Sequence, residues 1–279
     1  MNFNNSGDIR DILFSKIMQK HFTAQIKAEN GGIIAGAQNA YNALKQLGLE
    51  IEYFVSDGTE VQPETVIARF KGNPKQIAQA EEVVMGYLMK TSGIATATRR
   101  AINLAEGKIR IVSGAWKKMP SEMKQLVREA IAVGGGAFRI LDVPFVYLDK
   151  NYIRMFGSIV EALKSAEVFG DRYKVVQLRG EMKDIKEETI EAATNGAYVL
   201  MIDTGKISDV KIVNSTLEEL GVRKEKLVAF AGGVKINAIP SYIGLGIDIL
   251  DIGSEIVDAP LMDMKLDVIS EGKEGEDGT

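Results

Sequence analysis

The second half of the chain alternates strand-like and helix-like segments, and this rhythm constrains the fold more than any other feature. After Gly107, short and densely apolar runs alternate with longer segments whose apolar residues recur at helical spacing. Dense apolar runs are typical of parallel strands that are covered on both faces, so the pattern predicts an α/β sheet or barrel. The predicted strands are Ile109–Ser113, Phe145–Leu148, Lys174–Leu178, Tyr198–Asp203, Leu227–Phe230 and Ile247–Ile252.

The first part of the chain, up to Gly107, mixes strands and helices without a strict order. A long helical pattern covers Ile77–Ala105 and is interrupted at Thr91-Ser92-Gly93. Periodicity predicts further strands at Phe22–Ala28, Leu49–Val55 and Val66–Lys71, and helices at Ala37–Leu47, Ser121–Ala132, Ile153–Ala166 and Ile185–Thr194.

Composition excludes several kinds of site. The 279 residues include no cysteine, which excludes thiolate metal sites, and one histidine, His21, which leaves almost no material for a Ser-His-Asp triad or a multi-histidine metal site. Any metal would need carboxylate ligands, which favours Mg²⁺. The net charge of −4 argues against a nucleic-acid partner. The polar opening Met1–Gly7 and the absence of a long apolar run predict a soluble protein without a leader or membrane span.

Glycines follow the last two predicted strands. Gly232-Gly233 comes after one of them and Gly253-Ser254 after the other. Glycines at such positions let backbone N–H groups approach a phosphate, as in the late loops of many barrels. Either pair alone would favour a simple tight turn. Two pairs, on the last two strands, favour a phosphate site.

Carboxylates stand at or near the ends of other predicted strands. Asp203 ends an apolar strand, where a charge has few partners, and this favours a functional role over an N-cap of the next helix. Glu181 or Glu161 would supply a second carboxylate.

A set of short motifs runs in one order over nearly the whole chain. The run SGIAT at Ser92–Thr96 stands eleven residues after Glu81 on a predicted helix. Around it come GGIIAG, SDGTEV, the triplet GGG, LDKNY, MIDT, AGGV and DIGS. Taken together and in this order, the motifs resemble the quinolinate phosphoribosyltransferase family of type II phosphoribosyltransferases.

The resemblance implies an N-terminal open α/β sandwich followed by an incomplete (β/α) barrel. The sandwich would span residues 1–107, rejoined by 263–279, and the barrel residues 108–262. It also implies a cytoplasmic homodimer or higher homo-oligomer. Such an enzyme transfers a phosphoribosyl group from phosphoribosyl pyrophosphate to a small aromatic base, a pyridine carboxylate such as quinolinate or nicotinate, using Mg²⁺ in NAD biosynthesis or salvage.

The resemblance also assigns roles to individual residues. Lys117, with Lys118 beside it, and Arg139 would serve the base or the pyrophosphate, and Asp203 with Glu181 would hold Mg²⁺. Arg179 lies on a strand where the family carries alternating glutamates, and is a candidate for substrate binding. The phosphoribosyl group would be held by Gly232, Gly233, Gly253 and Ser254.

Several family residues that surround the pyridine dicarboxylate are replaced. Glu82, Trp116, Asp149 and Tyr152 stand at their positions, and Lys150 lies one place beyond Asp149. A buried dianion needs charge-assisted partners, so these changes predict a less acidic base. Trp116 would wall the ring and Lys150 would contact the substrate.

Two other readings stay open at this point. In the first, the chain is a diverged paralogue that binds a phosphorylated ligand without catalysis. In the second, it is an unrelated barrel enzyme with Lys150 or Lys117 as a Schiff-base lysine.

Overall fold

A computed structural model describes residues 8–271. Met1–Gly7, where the sequence predicts no leader, lies outside the described residues. So does the acidic tail from residue 272 onward, the last part of the segment predicted to rejoin the sandwich. The strands are β1 Phe22–Ala28, β2 Gly32–Ile33, β3 Glu50–Phe54, β4 Glu60–Val61, β5 Val66–Gly72, β6 Arg110–Val112, β7 Phe145–Leu148, β8 Tyr173–Leu178, β9 Val199–Ile202, β10 Leu227–Phe230, β11 Ile249–Asp251 and β12 Met264–Glu271. The α-helices are α1 Ile9–Leu13, α2 Ala37–Gln46, α3 Pro74–Ala105, α4 Ser121–Val133, α5 Lys150–Phe156, α6 Ile159–Ala166, α7 Ile185–Thr194, α8 Ile207–Glu219, α9 Ile239–Tyr242 and α10 Ser254–Val257.

Within the described residues, one compact unit comprises residues 8–96, 125–134 and 259–271. Its main sheet has the strand order β12-β1-β5-β3, with antiparallel pairing throughout, and β2 pairs with β4 in a small ribbon. Apolar side chains of β1, β5, α2 and the first half of α3 form its core, among them Ile26, Leu44, Phe70 and Leu88. This is the N-terminal antiparallel half of the predicted fold class.

Helix α3 is continuous through Thr91-Ser92-Gly93, so the predicted interruption there is wrong. The three residues are polar or small because they meet neighbouring chain rather than because they break the helix. Ser92 Oγ accepts a hydrogen bond from the Ala35 amide at 3.0 Å, and Thr91 Oγ1 donates to the Ala35 carbonyl at 2.6 Å. A Cβ on Gly93 would lie 2.0 Å from the Pro260 carbonyl oxygen.

The second compact unit comprises residues 97–124 and 135–258. Its six-stranded sheet has the order β6-β11-β10-β9-β8-β7, and every pairing is parallel. Val175, Val199, Met201, Ala229 and Ile249 fill its inner face. All six predicted strands of this half are present, and the prediction of a parallel α/β region is confirmed.

The single helix predicted over Ile153–Ala166 is two helices, α5 and α6. Gly157 ends α5, and Ser158 begins α6 by accepting a hydrogen bond from the Glu161 amide at 3.1 Å. Apolar periodicity continued across the break, which hid the cap.

Within residues 8–271, none of the helices combines the length and the apolar character that crossing a bilayer requires.

We expect Gly93→Ala to destabilise the protein by about 1–3 kcal/mol, because the new methyl group would overlap the Pro260 carbonyl. Gly86→Ala is the matched control on the same helix: nothing lies within 4 Å of its added Cβ, and alanine favours the helix by about 0.5–1 kcal/mol. Thermal melting would show a lower Tm for the first variant and an equal or higher Tm for the second. Equal shifts would contradict this packing.

Candidate active site

Polar side chains gather at the carboxyl edge of the six-stranded sheet. Because the strands are parallel, residues that end one strand lie beside those that end the next. Tyr147 is the third residue of β7, Gln177 lies near the end of β8, Asp203 follows β9 and Asp251 ends β11. The site is therefore built on rigid strands rather than on long loops.

Asp203 is held by two donors from β8 and the loop after it. Its Oδ2 accepts from Gln177 Nε2 at 2.6 Å and lies 3.2 Å from Arg179 Nη1. The same Nη1 donates to the Asp203 backbone carbonyl. Gln177 also ties β8 to α5, because its Oε1 accepts from the Lys150 amide at 2.7 Å.

Glu181 belongs to the same network of charges. Its carboxylate lies 3.1 Å from Arg179 Nε and also pairs with Arg154 on α5. The hydrogen bond from Arg179 lowers the pKa of Glu181, and the positive charge of Arg154 lowers it further. Asp203 and Glu181 are thus both ion-paired to arginine.

The residues expected to hold Mg²⁺ do not suit that ion. A divalent metal needs several free oxygen ligands, whereas three of the four carboxylate oxygens, Asp203 Oδ2 and both oxygens of Glu181, are engaged by arginine. Among residues 8–271, histidine, cysteine, aspartate and glutamate side chains form no group of three or more that could hold a metal.

Lys117 lies among aromatic rings and acids. It belongs to a short 3₁₀ turn, Ala115–Lys118, that follows β6, and its Nζ is 5.4 Å from the centre of the Tyr147 ring and 6.0 Å from the Trp116 ring. The Trp116 indole Nε1 donates to the Phe138 carbonyl at 2.8 Å, which fixes the ring. A cation held over aromatic faces suits an anionic aromatic ligand.

Asp251 and Tyr147 carry perturbed pKa values. Burial raises the pKa of Asp251, opposed by the hydrogen bond from the Gly114 amide at 2.9 Å. The carboxylate of Asp203 raises it further, while Lys117 and Lys118 lower it. Burial raises the pKa of Tyr147, as do Asp251, Asp203 and Asp149, so its phenol stays protonated and can donate a hydrogen bond.

Asp149 and Lys150 have structural contacts at the start of α5. The Asp149 carboxylate caps that helix, accepting from the Asn151 amide at 2.8 Å and the Tyr152 amide at 3.0 Å. Asp149 is therefore the N-cap of α5, and its negative charge cannot replace the family's cation that binds a substrate anion. In the other compact unit Glu82 pairs with Arg10.

The glycine loops after β10 and β11 lie side by side, because these strands pair in parallel. Glu255, on α10, joins the two loops: its carboxylate lies 2.8 Å from Lys235 Nζ and 3.4 Å from the Ile236 amide. Among residues 8–271, no acceptor takes the amide hydrogen of any of the four candidate phosphate residues, Gly232, Gly233, Gly253 and Ser254.

Gly232 and Gly233 need to be glycine for different reasons. A Cβ on Gly232 would lie 2.5 Å from the Gly205 amide nitrogen, whereas Gly233 faces open space but has φ +78°. The close approach at Gly232 packs this loop on the loop after β9. The left-handed conformation of Gly233 exposes its amide.

Arg139 has contacts of a different kind from those of Lys117. Its guanidinium is 5.2 Å from the ring of Phe145, the first residue of β7, and its charge lowers the pKa of Asp142 after the larger effect of Arg110, the first residue of β6. Arg139 lines a cleft with both of these charged residues. These contacts lie with residues that begin β6 and β7, while the neighbouring Phe138 carbonyl accepts a hydrogen bond from Trp116, so a role for Arg139 stays a prediction.

Sequence reasoning missed Tyr147 and Asp251 as members of this cluster, whereas Gln177 stands with Arg179 in the register of the family's alternating glutamates. Asp251 ends an apolar strand, which is the signal that identified Asp203. At this strand end, however, the sequence was interpreted only through Gly253-Ser254, as a phosphate site. Tyr147 read as one more apolar strand residue, and only the charges around it reveal its position.

Comparison with known proteins adds an independent observation. The family model for the quinolinate phosphoribosyl transferase C-terminal domain matches residues 94–267. The family model for the N-terminal domain of the same enzymes matches residues 11–92. The chain belongs to the quinolinate phosphoribosyl transferase family. The family suggested by the order of the sequence motifs is therefore confirmed.

Individual relatives are distant. The chain is 26% identical over 254 residues to a probable nicotinate-nucleotide pyrophosphorylase [carboxylating] of Methanothermobacter thermautotrophicus, covering 88% of each chain. It is 26% identical over 253 residues to the rat nicotinate-nucleotide pyrophosphorylase [carboxylating], covering 89% of this chain and 82% of the relative. The crystal structure of the Ehrlichia chaffeensis nicotinate-nucleotide pyrophosphorylase has the same fold, with a TM-score of 0.82 and 18% identity over 95% of this chain and 94% of that one.

We expect Asp251→Asn to raise the Tm relative to the native chain by an amount that grows with pH. An acid whose pKa is raised on folding contributes its stability below the unfolded pKa, about 3.9, and loses it as the pH rises through the folded pKa. Asparagine keeps an oxygen for the Gly114 amide and does not ionise. Melting curves between acid and neutral pH measure the difference.

The matched control is Asp142→Asn. The hydrogen bond from Arg110 lowers the pKa of Asp142, so this carboxylate stabilises the fold above about pH 4 and its loss lowers the Tm at neutral pH. A Tm difference for Asp251→Asn that does not vary with pH would contradict the desolvation of this group.

Proposed function

We propose that this protein transfers a phosphoribosyl group from phosphoribosyl pyrophosphate to a pyridine carboxylate, giving nicotinate mononucleotide and pyrophosphate. The supporting observation is the pair of glycine loops, whose free amides adjoin the edge that carries Lys117, Tyr147 and Asp251. The resemblance adds a cytoplasmic role in NAD biosynthesis or salvage, and a homodimer.

The reaction needs charge placement rather than covalent catalysis. The bond between ribose C1 and the pyrophosphate oxygen breaks, and pyrophosphate leaves with the electron pair. The ring nitrogen of the base then forms the new bond to C1. Backbone amides of the glycine loops would hold the 5′-phosphate. Lys117 would balance the negative charge of the base or of the leaving group.

The acceptor that suits this site is less acidic than a dicarboxylate. Asp149 is committed to capping α5, and Trp116 and Tyr147 offer aromatic surface beside Lys117, the lysine that lies over both rings. Nicotinate carries one carboxylate, which Lys117 alone can balance. Quinolinate carries two, and its conversion also requires loss of CO₂ and protonation of the ring carbon. We therefore expect nicotinate to be the better acceptor.

The decisive experiment is pyrophosphate release from phosphoribosyl pyrophosphate with nicotinate, quinolinate or no base, accompanied by mass spectrometry of the nucleotide. Faster release with nicotinate supports the proposal, and faster release with quinolinate would overturn the acceptor assignment.

A non-catalytic role is the second candidate, because Asp203 and Glu181 are both engaged by arginine. Binding of phosphoribosyl pyrophosphate without any base-dependent release of pyrophosphate would favour it.

We expect Gly233→Asp to weaken binding of ribose 5-phosphate by about tenfold or more, because a carboxylate in the loop repels the phosphate. Gly233→Asn is the matched control, since it has the same shape and tolerates the same left-handed backbone but carries no charge. Isothermal titration calorimetry of both variants separates charge from strain. Equal affinities would place the phosphate elsewhere.

We expect Lys117→Gln to lower kcat/KM about a hundredfold, because it removes the cation that lies over the Tyr147 ring. Lys118→Gln should lower kcat/KM much less, because Lys117 and not Lys118 contacts the Tyr147 ring. Steady-state assays of both variants test this order. Equal losses would show that only the total charge of the turn matters.

A further inference from the structure

We infer that Arg179 replaces a divalent metal in this site, so that the protein binds its pyrophosphate-bearing sugar phosphate without Mg²⁺. This inference rests on the proposed function and specifies how its site handles charge. It starts from the misfit between the carboxylates at the end of β8 and β9 and any metal ion.

The position of Arg179 is fixed by carboxylates on two sides. Its Nη1 lies 3.2 Å from Asp203 Oδ2 and its Nε lies 3.1 Å from Glu181. Gln177 Nε2 donates a further hydrogen bond to the same Asp203 oxygen at 2.6 Å. These contacts hold a side chain that would otherwise lose much conformational freedom on binding a ligand.

The local charge is already balanced without a metal. Asp203 and Glu181 contribute two negative charges, and Arg179 and Arg154 contribute two positive ones. Magnesium takes six oxygen ligands at about 2.0–2.1 Å. Within residues 8–271, Asp203 Oδ1 is the one oxygen of these two carboxylates that no arginine engages, so a metal could take more of them only by displacing an arginine. The carboxylates raise the pKa of Arg179 despite its partial burial, so the guanidinium stays charged.

The outer end of Arg179 is left for a ligand. Its Nε and Nη1 make all the hydrogen bonds that the side chain has within the described part of the protein, and Nη2 takes part in none of them. The side chain is 30% exposed. A pre-oriented N–H pair of this kind suits phosphate oxygens and costs little ordering entropy.

Calorimetric titration of the full chain with phosphoribosyl pyrophosphate, once in EDTA and once in excess Mg²⁺, tests the inference. We expect the Kd of the native protein to differ by less than about threefold between the two conditions. Arg179→Gln should bind about tenfold more weakly in EDTA and recover in Mg²⁺, because Asp203 and Glu181 become free to hold the ion.

Arg154→Gln is the matched control, because it removes an arginine from Glu181 and leaves the Arg179–Asp203 pair intact. It should remain insensitive to EDTA. Comparing ratios of Kd between variants cancels the binding of Mg²⁺ to the ligand in solution. Binding of Mn²⁺, followed by its EPR signal without ligand, gives a second readout: none for the native protein and binding for Arg179→Gln.

The possible failures are distinguishable. Binding by the native protein that requires Mg²⁺ overturns this inference and leaves the proposed function standing. No binding under either condition overturns both. Equal behaviour of Arg179→Gln and Arg154→Gln, or Mn²⁺ binding by the native protein, overturns the assignment to Arg179.

Discussion

The parallel pairing of six strands is the constraint on which the rest of the site depends. Each pairing fixes the register of one strand against the next, so a polar residue at the end of one strand has a defined neighbour on another. Gln177 meets Asp203 because β8 and β9 end together. The chemistry of the site follows from which residue types occupy these few positions.

Those positions carry a different charge pattern from the one that the family resemblance implies. Arg179 introduces a cation where carboxylates were expected to act alone, and both Asp203 and Glu181 turn toward it. Burying a carboxylate without a partner is costly, whereas an ion pair with additional hydrogen bonds is tolerated. Arginine at this strand end therefore stabilises the unliganded site and prepares it for an anion.

The fold was largely predictable from the sequence because apolar periodicity reports burial directly. The strands of the parallel sheet are all present, and β1 and α7 have the predicted bounds. Errors arose where one residue type serves two purposes. Gly93 suggested a helix break but is small because Pro260 lies against it, and the stripe across Gly157 concealed two helices. Such contacts join residues far apart in sequence, which periodicity does not detect.

The site was less predictable, for a related reason. A sequence identifies which residues end strands but not how their side chains pair, so Asp203 read as a metal ligand and Asp149 as a lost cation. In the structure Asp203 is paired with Arg179, and Asp149 accepts hydrogen bonds from the first amide groups of α5. Charges that are already paired define what a ligand must bring. Here an anion can bind to the free end of Arg179 and to loop amides, whereas a metal would find three of the four nearby carboxylate oxygens engaged by arginine.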